Sequence, residues 1–177
     1  MIVNIPNSLT LARIVSVPVI VWLILREEML VAFILFGLGG ISDALDGLIA
    51  KHFNLVTKLG KYLDPLADKI LLVSIYVTLG VKGDLASWLV ILVVSRDVLI
   101  VGGILFSMLL GTRITIQPVR ISKINTFFQI VLAAMVLGSA GFDVDLGLLH
   151  GVTVYIVGVT TVMSGYSYLS QWIRQAG

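Results

Sequence analysis

The sequence contains six apolar segments, and each is about as long as a helix that crosses a lipid bilayer. We place them at residues 8–25, 29–50, 61–81, 86–110, 119–140 and 147–170. A spanning helix needs roughly 20 predominantly apolar residues. Of all residues, 58% are hydrophobic and 12% are charged, whereas an average soluble domain has about 25% charged residues. The sequence therefore predicts an all-α, polytopic integral membrane protein with six transmembrane helices, folded as a single domain over residues 1–177.

The residue types that are scarce or missing narrow the possible chemistry. The chain has no cysteine, and its two histidines are His52 and His150. Thiol catalysis, disulfides and cysteine-ligated metals are therefore excluded, and little is left to build a zinc site. A net charge of +2 gives no reason to expect nucleic acid as a partner.

The basic residues indicate which ends of the segments face the cytoplasm. If both termini are cytoplasmic, that side collects eight of them: Arg13, Lys51, Lys58, Lys61, Arg113, Arg120, Lys123 and Arg174. The opposite side has Arg26 and Lys82. Because Lys and Arg are enriched in cytoplasmic loops, this bias predicts cytoplasmic termini. We expect the first segment to be a retained helix rather than a signal peptide, and the membrane to be a bacterial inner membrane.

Four aspartates lie where the second apolar segment ends and the third begins. They are Asp43, Asp46, Asp64 and Asp68. Their spacings of three and four residues place each pair on one face of a helix. A carboxylate at membrane depth is costly and usually marks a functional site. Since such hard oxygen ligands suit magnesium, manganese or calcium, we expect a divalent cation in a cavity that opens to the cytoplasm.

Two arginines in the apolar segments allow more than one interpretation. Arg13 is either an anchor that extends its charged end to the interface or a contact for an anion in the cavity. Arg96 and its neighbour Asp97 point about 100° apart on a helix, so they need not pair with each other. They are either buried ion-pair partners of other helices or residues of the cavity, and we favour the cavity.

A basic stretch covers the loop before the fifth apolar segment and the start of that segment. It contains Arg113, Arg120 and Lys123, and the polar residues Asn125 and Gln129 follow. A loop that only sets the orientation in the membrane accounts for the charges but not for the two amides. A basic site for phosphate accounts for both, and together with a metal it predicts a diphosphate substrate.

Residues 43–68 resemble the signature of the CDP-alcohol phosphatidyltransferases. That signature is D-x2-D-G-x2-A-R, a spacer, and G-x3-D-x3-D. This chain reads DALDGLIAK from Asp43 and GKYLDPLAD from Gly60, so seven of the eight fixed positions match. The departure is Lys51, where the family has arginine; lysine keeps the charge but lacks the planar fork.

The resemblance implies an enzyme that transfers the phosphatidyl group of CDP-diacylglycerol to an alcohol and releases CMP. It also implies six transmembrane helices, usually in a homodimer, with one or two Mg²⁺ or Mn²⁺ ions. By position in the signature, the metal ligands would be Asp43, Asp46 and Asp64, and Asp68 would be the catalytic base and reach a second metal. The residues around the CDP-linked donor would be Gly47, Ala50, Lys51 and Gly60. The further substrate-binding residues that we expect are Asn7, Thr10, Arg13, Arg96, Arg113, Arg120, Lys123 and Asn125.

This chain resembles two subfamilies along nearly its whole length, and they differ in the acceptor alcohol that they use. Enzymes that use glycerol 3-phosphate typically have R-E-x6-R in the fourth helix, but here Asp97 follows Arg96 and position 104 is Ile104. A phosphomonoester carries nearly two charges and needs more cationic donors than a phosphodiester does. The lead hypothesis is therefore a CMP-forming cardiolipin synthase with phosphatidylglycerol as acceptor. The alternative is a phosphatidylglycerophosphate synthase that uses glycerol 3-phosphate.

A third hypothesis comes from a different class of protein. Intramembrane aspartates also carry ions in cation transporters and channels. The sequence lacks the inverted pair of interrupted helices that is typical of transporters, and this argues against the hypothesis.

Overall fold

A computed structural model describes the backbone of residues 5–52, 60–109 and 120–176, and side chains at 12–42, 67–103, 120–171 and 173. In this part of the chain all regular secondary structure is helical. The helices are α1 (Ile5–Leu25), α2 (Met29–His52), α3 (Gly60–Lys82), α4 (Ser87–Leu109), α5 (Arg120–Phe142) and α6 (Leu148–Ala176). The predicted all-α class is confirmed, and each helix corresponds to one predicted apolar segment.

Two of the described helical stretches are long and apolar enough to cross a membrane. They are Arg120–Phe142 and Leu148–Gln171. Shorter apolar stretches occupy Ala12–Leu25 and Met29–Ser42. Because these findings concern the described residues alone, six membrane-spanning helices stay a prediction.

The helices are arranged in two compact units. The first unit consists of Met1–Asp84 and Ala133–Asp145, and the second consists of Leu85–Leu132 and Leu146–Gly177. In the first unit α1 packs against both α2 and α3, and in the second unit α4 packs against α6. A single domain over the whole chain stays a prediction.

Helix α1 has one buried and one exposed apolar face. Ile20 and Ile24 are fully or almost fully buried, and α3 contributes the fully buried Ile75 and Leu79 to the same unit. Trp22, on the opposite face of α1, is 54% exposed. Helix α1 therefore buries one side within its unit and leaves the other side exposed.

A three-residue turn joins α1 to α2. Glu27 adopts a left-handed conformation with φ 66°. Its backbone N–H donates to the Ile24 carbonyl at 3.1 Å, and that of Glu28 donates to the Leu23 carbonyl at 3.0 Å. This pair of bonds is the Schellman motif that ends many helices. Lys82 Nζ, from the end of α3, donates to the same Ile24 carbonyl at 3.3 Å. The turn is therefore stabilised by its own backbone hydrogen bonds and by a side chain of α3.

The last turns of α5 lie very close to the first turns of α2 in the first unit. A Cβ atom at Gly141 would lie 2.7 Å from Leu30 Cα and 2.8 Å from Leu30 N. A Cβ atom at Gly138, three residues earlier on the same face, would lie 3.2 Å from the Phe33 ring. Small residues allow helix backbones to approach in this way in membranes.

We expect Gly141→Ala to destabilise the protein by about 1–3 kcal/mol, because the new methyl group meets backbone atoms that cannot rotate away. Thermal unfolding in detergent measures the effect. Gly102→Ala in α4 is the matched control, since a Cβ atom there has no neighbour within 4 Å. A Gly141→Ala protein that melts with the wild type would contradict the close packing of α5 on α2.

Candidate active site

The four aspartates of the signature occupy the end of one helix and the beginning of the next. Asp43 and Asp46 lie in α2, and Asp64 and Asp68 lie in α3. The side chains of the first three are outside the described part of the structure, so their convergence on a metal stays a prediction. Among the side chains that are described, no group of three or more histidine, aspartate or glutamate residues is arranged to hold a metal ion.

The remaining signature residues share these two helices, and their side chains are also outside the described part. The ones in α2 are Gly47, Ala50 and Lys51, and Gly60 is the first residue of α3. Asn7 and Thr10 lie in α1 with their side chains likewise undescribed, and Arg113 lies outside the described residues. The substrate-binding roles of this group stay predictions.

Asp68 is the one signature aspartate whose side chain is described, and it forms an ion pair with Arg13. Arg13 Nη1, on α1, donates to Asp68 Oδ1. The Asp68 side chain is 43% exposed, whereas that of Arg13 is 6% exposed. An anchor that extends to the interface keeps its charged end in water, and Arg13 does not. Arg13 contacts Asp68, which is the predicted base. Neither interpretation of the sequence included this contact.

Arg96 lies at the centre of a buried polar cluster in the second unit. Arg96 and Asp97 are each 3% exposed, and Nη1 of Arg96 donates to Asp97 Oδ1 at 2.5 Å. Nη2 donates to Ser122 Oγ of α5 at 2.5 Å, and Nε donates to Ser164 Oγ of α6 at 3.1 Å. The guanidinium also lies over the ring of Tyr168, 5.7 Å from its centroid. One side chain thus connects α4, α5 and α6.

The expectation that Arg96 and Asp97 need not pair is wrong. The Cα–Cβ bonds of neighbouring helical residues diverge, but the arginine side chain is long enough to return to the adjacent carboxylate. The ion pair lies within α4, whereas the sequence analysis considered ion pairs with other helices or a place in the cavity. Substrate binding by Arg96 stays a prediction. Ser164 is a partner of Arg96 that was not expected from the sequence, although Ser164 and Tyr168 are spaced four residues apart on one face of α6.

The polar group at the start of α5 divides into exposed charges and a buried amide. Arg120 and Lys123 are exposed, whereas Asn125 is completely buried. Its Oδ1 accepts hydrogen bonds from the hydroxyl groups of Thr160 and Thr161 of α6, at 2.8 and 2.9 Å. Within the described residues, its buried Nδ2 has no hydrogen-bond partner. Asn125 therefore joins α5 to α6, and its predicted contact with substrate stays a prediction.

We expect Arg96→Met to destabilise the protein by about 3–5 kcal/mol, because it leaves the Asp97 carboxylate buried without this counter-ion. Ser164→Ala removes one hydrogen-bond acceptor of the same guanidinium, and we expect a loss of about 1 kcal/mol. Thermal unfolding of Arg96→Met, Asp97→Leu and the double variant Arg96→Met/Asp97→Leu measures the coupling between the two side chains, and the same measurement gives the loss in Ser164→Ala. The double variant should lose less stability than the sum of its single variants. Strict additivity would show that the two side chains do not depend on each other.

Comparisons with known proteins agree with the signature. The family model described as CDP-alcohol phosphatidyltransferase matches residues 3–164. The chain is 36% identical over 170 residues to the CDP-diacylglycerol–glycerol-3-phosphate 3-phosphatidyltransferase of Rickettsia bellii, with 93% of each chain covered. It is 35% identical over 185 residues to the Bacillus subtilis enzyme of that name, covering 95% of this chain and 94% of the relative. It is also 34% identical over 181 residues to human cardiolipin synthase (CMP-forming), covering 93% of this chain and 60% of the relative.

These relatives correct the lead hypothesis on the acceptor. The bacterial relatives are named for transfer to glycerol 3-phosphate, so the assignment as a cardiolipin synthase with phosphatidylglycerol as acceptor is wrong. In the fourth helix Arg96 is present but Ile104 stands in place of a second arginine, and this absence had suggested an acceptor with less negative charge. A phosphate group can draw its positive charges from several segments of a chain. The family match to an enzyme also removes the hypothesis of a cation transporter or channel.

Proposed function

This chain belongs to the CDP-alcohol phosphatidyltransferase family, and from that premise we propose that it transfers the phosphatidyl group of CDP-diacylglycerol to glycerol 3-phosphate. It is a membrane-associated phosphatidyltransferase. The observation that carries the proposal is the signature of four aspartates at the end of α2 and the start of α3. The choice of glycerol 3-phosphate is supported by the names of the bacterial relatives.

The proposed reaction is a displacement at phosphorus. The hydroxyl oxygen of glycerol 3-phosphate forms a bond to the phosphorus of the phosphatidyl group, and the bond from that phosphorus to the CMP oxygen breaks. The products are phosphatidylglycerophosphate and CMP. Asp68 is the proposed base that takes the hydroxyl proton. Its 43% exposed side chain supports this role, because an acceptor from solution must reach the carboxylate.

We propose Mg²⁺ or Mn²⁺ as the cofactor, in one or two sites. The donor set fits such an ion, since Asp43, Asp46, Asp64 and Asp68 all offer hard carboxylate oxygens. When bound, the cation supplies positive charge to the diphosphate oxygens. On the protein side, Lys51 of α2 adds a fixed positive charge for the donor phosphates. Gly47 and Gly60 present no side chain, which leaves room for the donor to approach the helix backbone.

The arrangement in the membrane is also a proposal. Six spanning helices with cytoplasmic termini are supported by the match of the six helices to the six apolar segments of the sequence and by the excess of basic residues on one side. In this orientation the cavity that contains the aspartates opens to the cytoplasm, where glycerol 3-phosphate is dissolved. We further propose a homodimer in a bacterial inner membrane.

An acceptor competition tests the proposed function. Purified protein in detergent receives labelled CDP-diacylglycerol and Mg²⁺ or Mn²⁺, with glycerol 3-phosphate or phosphatidylglycerol offered separately. We expect CMP and phosphatidylglycerophosphate with glycerol 3-phosphate alone. Product with phosphatidylglycerol alone would contradict the proposed acceptor while keeping the family chemistry. No CMP with either acceptor would contradict both.

We expect Asp68→Asn to abolish turnover, because an amide cannot take the proton of the acceptor hydroxyl. Binding of CDP-diacylglycerol should persist, and equilibrium binding of the labelled lipid checks it. Asp143→Asn is the matched control, since Asp143 is exposed beyond the end of α5 and asparagine tolerates its positive φ of 54°. Normal turnover by Asp68→Asn would remove Asp68 from the role of base.

A further inference from the structure

The ion pair between Arg13 and Asp68 joins two helices that pack together. Arg13 belongs to α1 and Asp68 to α3, and these helices are neighbours in the first unit. The two residues are 55 positions apart in the chain. The contact is therefore a product of the folded unit and not of local sequence.

The two members of the pair are held very differently. The Arg13 side chain is only 6% exposed. A buried, planar guanidinium has little freedom to reorient, and its donors have fixed directions. The Asp68 carboxylate is much more exposed, at 43%. The hydrogen bond from the buried guanidinium therefore limits the orientations that this carboxylate can take.

We infer that Arg13 is a positioning residue, which holds the Asp68 carboxylate in the orientation that receives the proton of the acceptor hydroxyl. The inference rests on the proposed function, because it assumes that Asp68 is the base. Arg13 acts through Asp68 Oδ1, which accepts its Nη1–H, and not through the substrates. A misplaced base slows the chemical step and leaves the binding of both substrates intact.

Steady-state kinetics of Arg13→Met separate this role from the alternatives. We expect kcat to fall by about 100-fold, as for other displacements of a catalytic group by about 1 Å. The KM values for CDP-diacylglycerol and glycerol 3-phosphate should stay within about twofold of the wild type. The fold should survive, because the carboxylate left behind is accessible to solvent.

Arg13→Lys gives an independent measurement if Arg13→Met does not fold. Lysine keeps the positive charge but loses the planar fork that fixes the carboxylate. We expect a kcat about tenfold below the wild type, again with unchanged KM values. A kcat equal to that of the wild type would overturn the inference.

Lys82→Met is the matched control. Lys82 Nζ lies 3.4 Å from Glu27 Oε1, so this pair also connects α3 to the chain just beyond α1. Its loss removes an ion pair between the same two regions, far along α3 from Asp68. We expect the kcat of Lys82→Met to equal that of the wild type. If both variants lowered kcat equally, general loosening of the α1–α3 contact would explain the result and the inference would be wrong.

The remaining outcomes also distinguish the hypotheses. A raised KM for CDP-diacylglycerol with unchanged kcat in Arg13→Met would make Arg13 a substrate contact. A lower melting temperature with unchanged kinetics would make it a structural residue. Either result overturns the inference while the active wild type upholds the proposed function. A wild-type protein that releases no CMP with either acceptor would refute the proposed function, and the inference with it.

Discussion

Polar side chains within apolar helices need partners, and both units of this protein are organised by that requirement. A buried charge without a counter-ion costs several kcal/mol, and the partner usually comes from another helix. In the first unit Arg13 of α1 binds Asp68 of α3. In the second unit Arg96 of α4 binds serines of α5 and α6. The counter-ion of Arg96 is Asp97 of the same helix, so in the second unit the hydrogen bonds of the guanidinium, and not the ion pair, connect neighbouring helices.

The helices were predictable from the sequence, but the partners of their charged residues were not. An apolar stretch of about 20 residues is sufficient to predict a helix in a bilayer, because a helix satisfies its own backbone hydrogen bonds. The pairing of Arg13 with Asp68 depends on how α1 and α3 are rotated about their axes. This rotation cannot be predicted from a local sequence pattern. For Arg96 and Asp97, the direction of the Cα–Cβ bonds suggested separation. The length of the arginine side chain decided otherwise.

The signature over residues 43–68 was sufficient to predict the family but not the acceptor, and the reason is physical. Carboxylates that share a metal must keep fixed spacings on their helices, and a linear motif records such spacings. Cations that attract a phosphate act over longer distances through flexible side chains, so they need no fixed spacing. Ile104 in place of an arginine therefore says little. Basic residues elsewhere, such as the exposed Arg120 and Lys123, are available to bind the phosphate of a phosphomonoester acceptor.

The three-residue turn after α1 has a consequence for the proposed metal site at the other end of α2. Asp43 lies 14 residues after Met29, which is roughly 20 Å of helix. One residue inserted beside Glu27 would rotate α2 by about 100° relative to α1. Asp43 and Asp46 would rotate with it, whereas Arg13 would stay in place. The length of this short turn therefore sets the orientation of carboxylates that lie a full helix away from it.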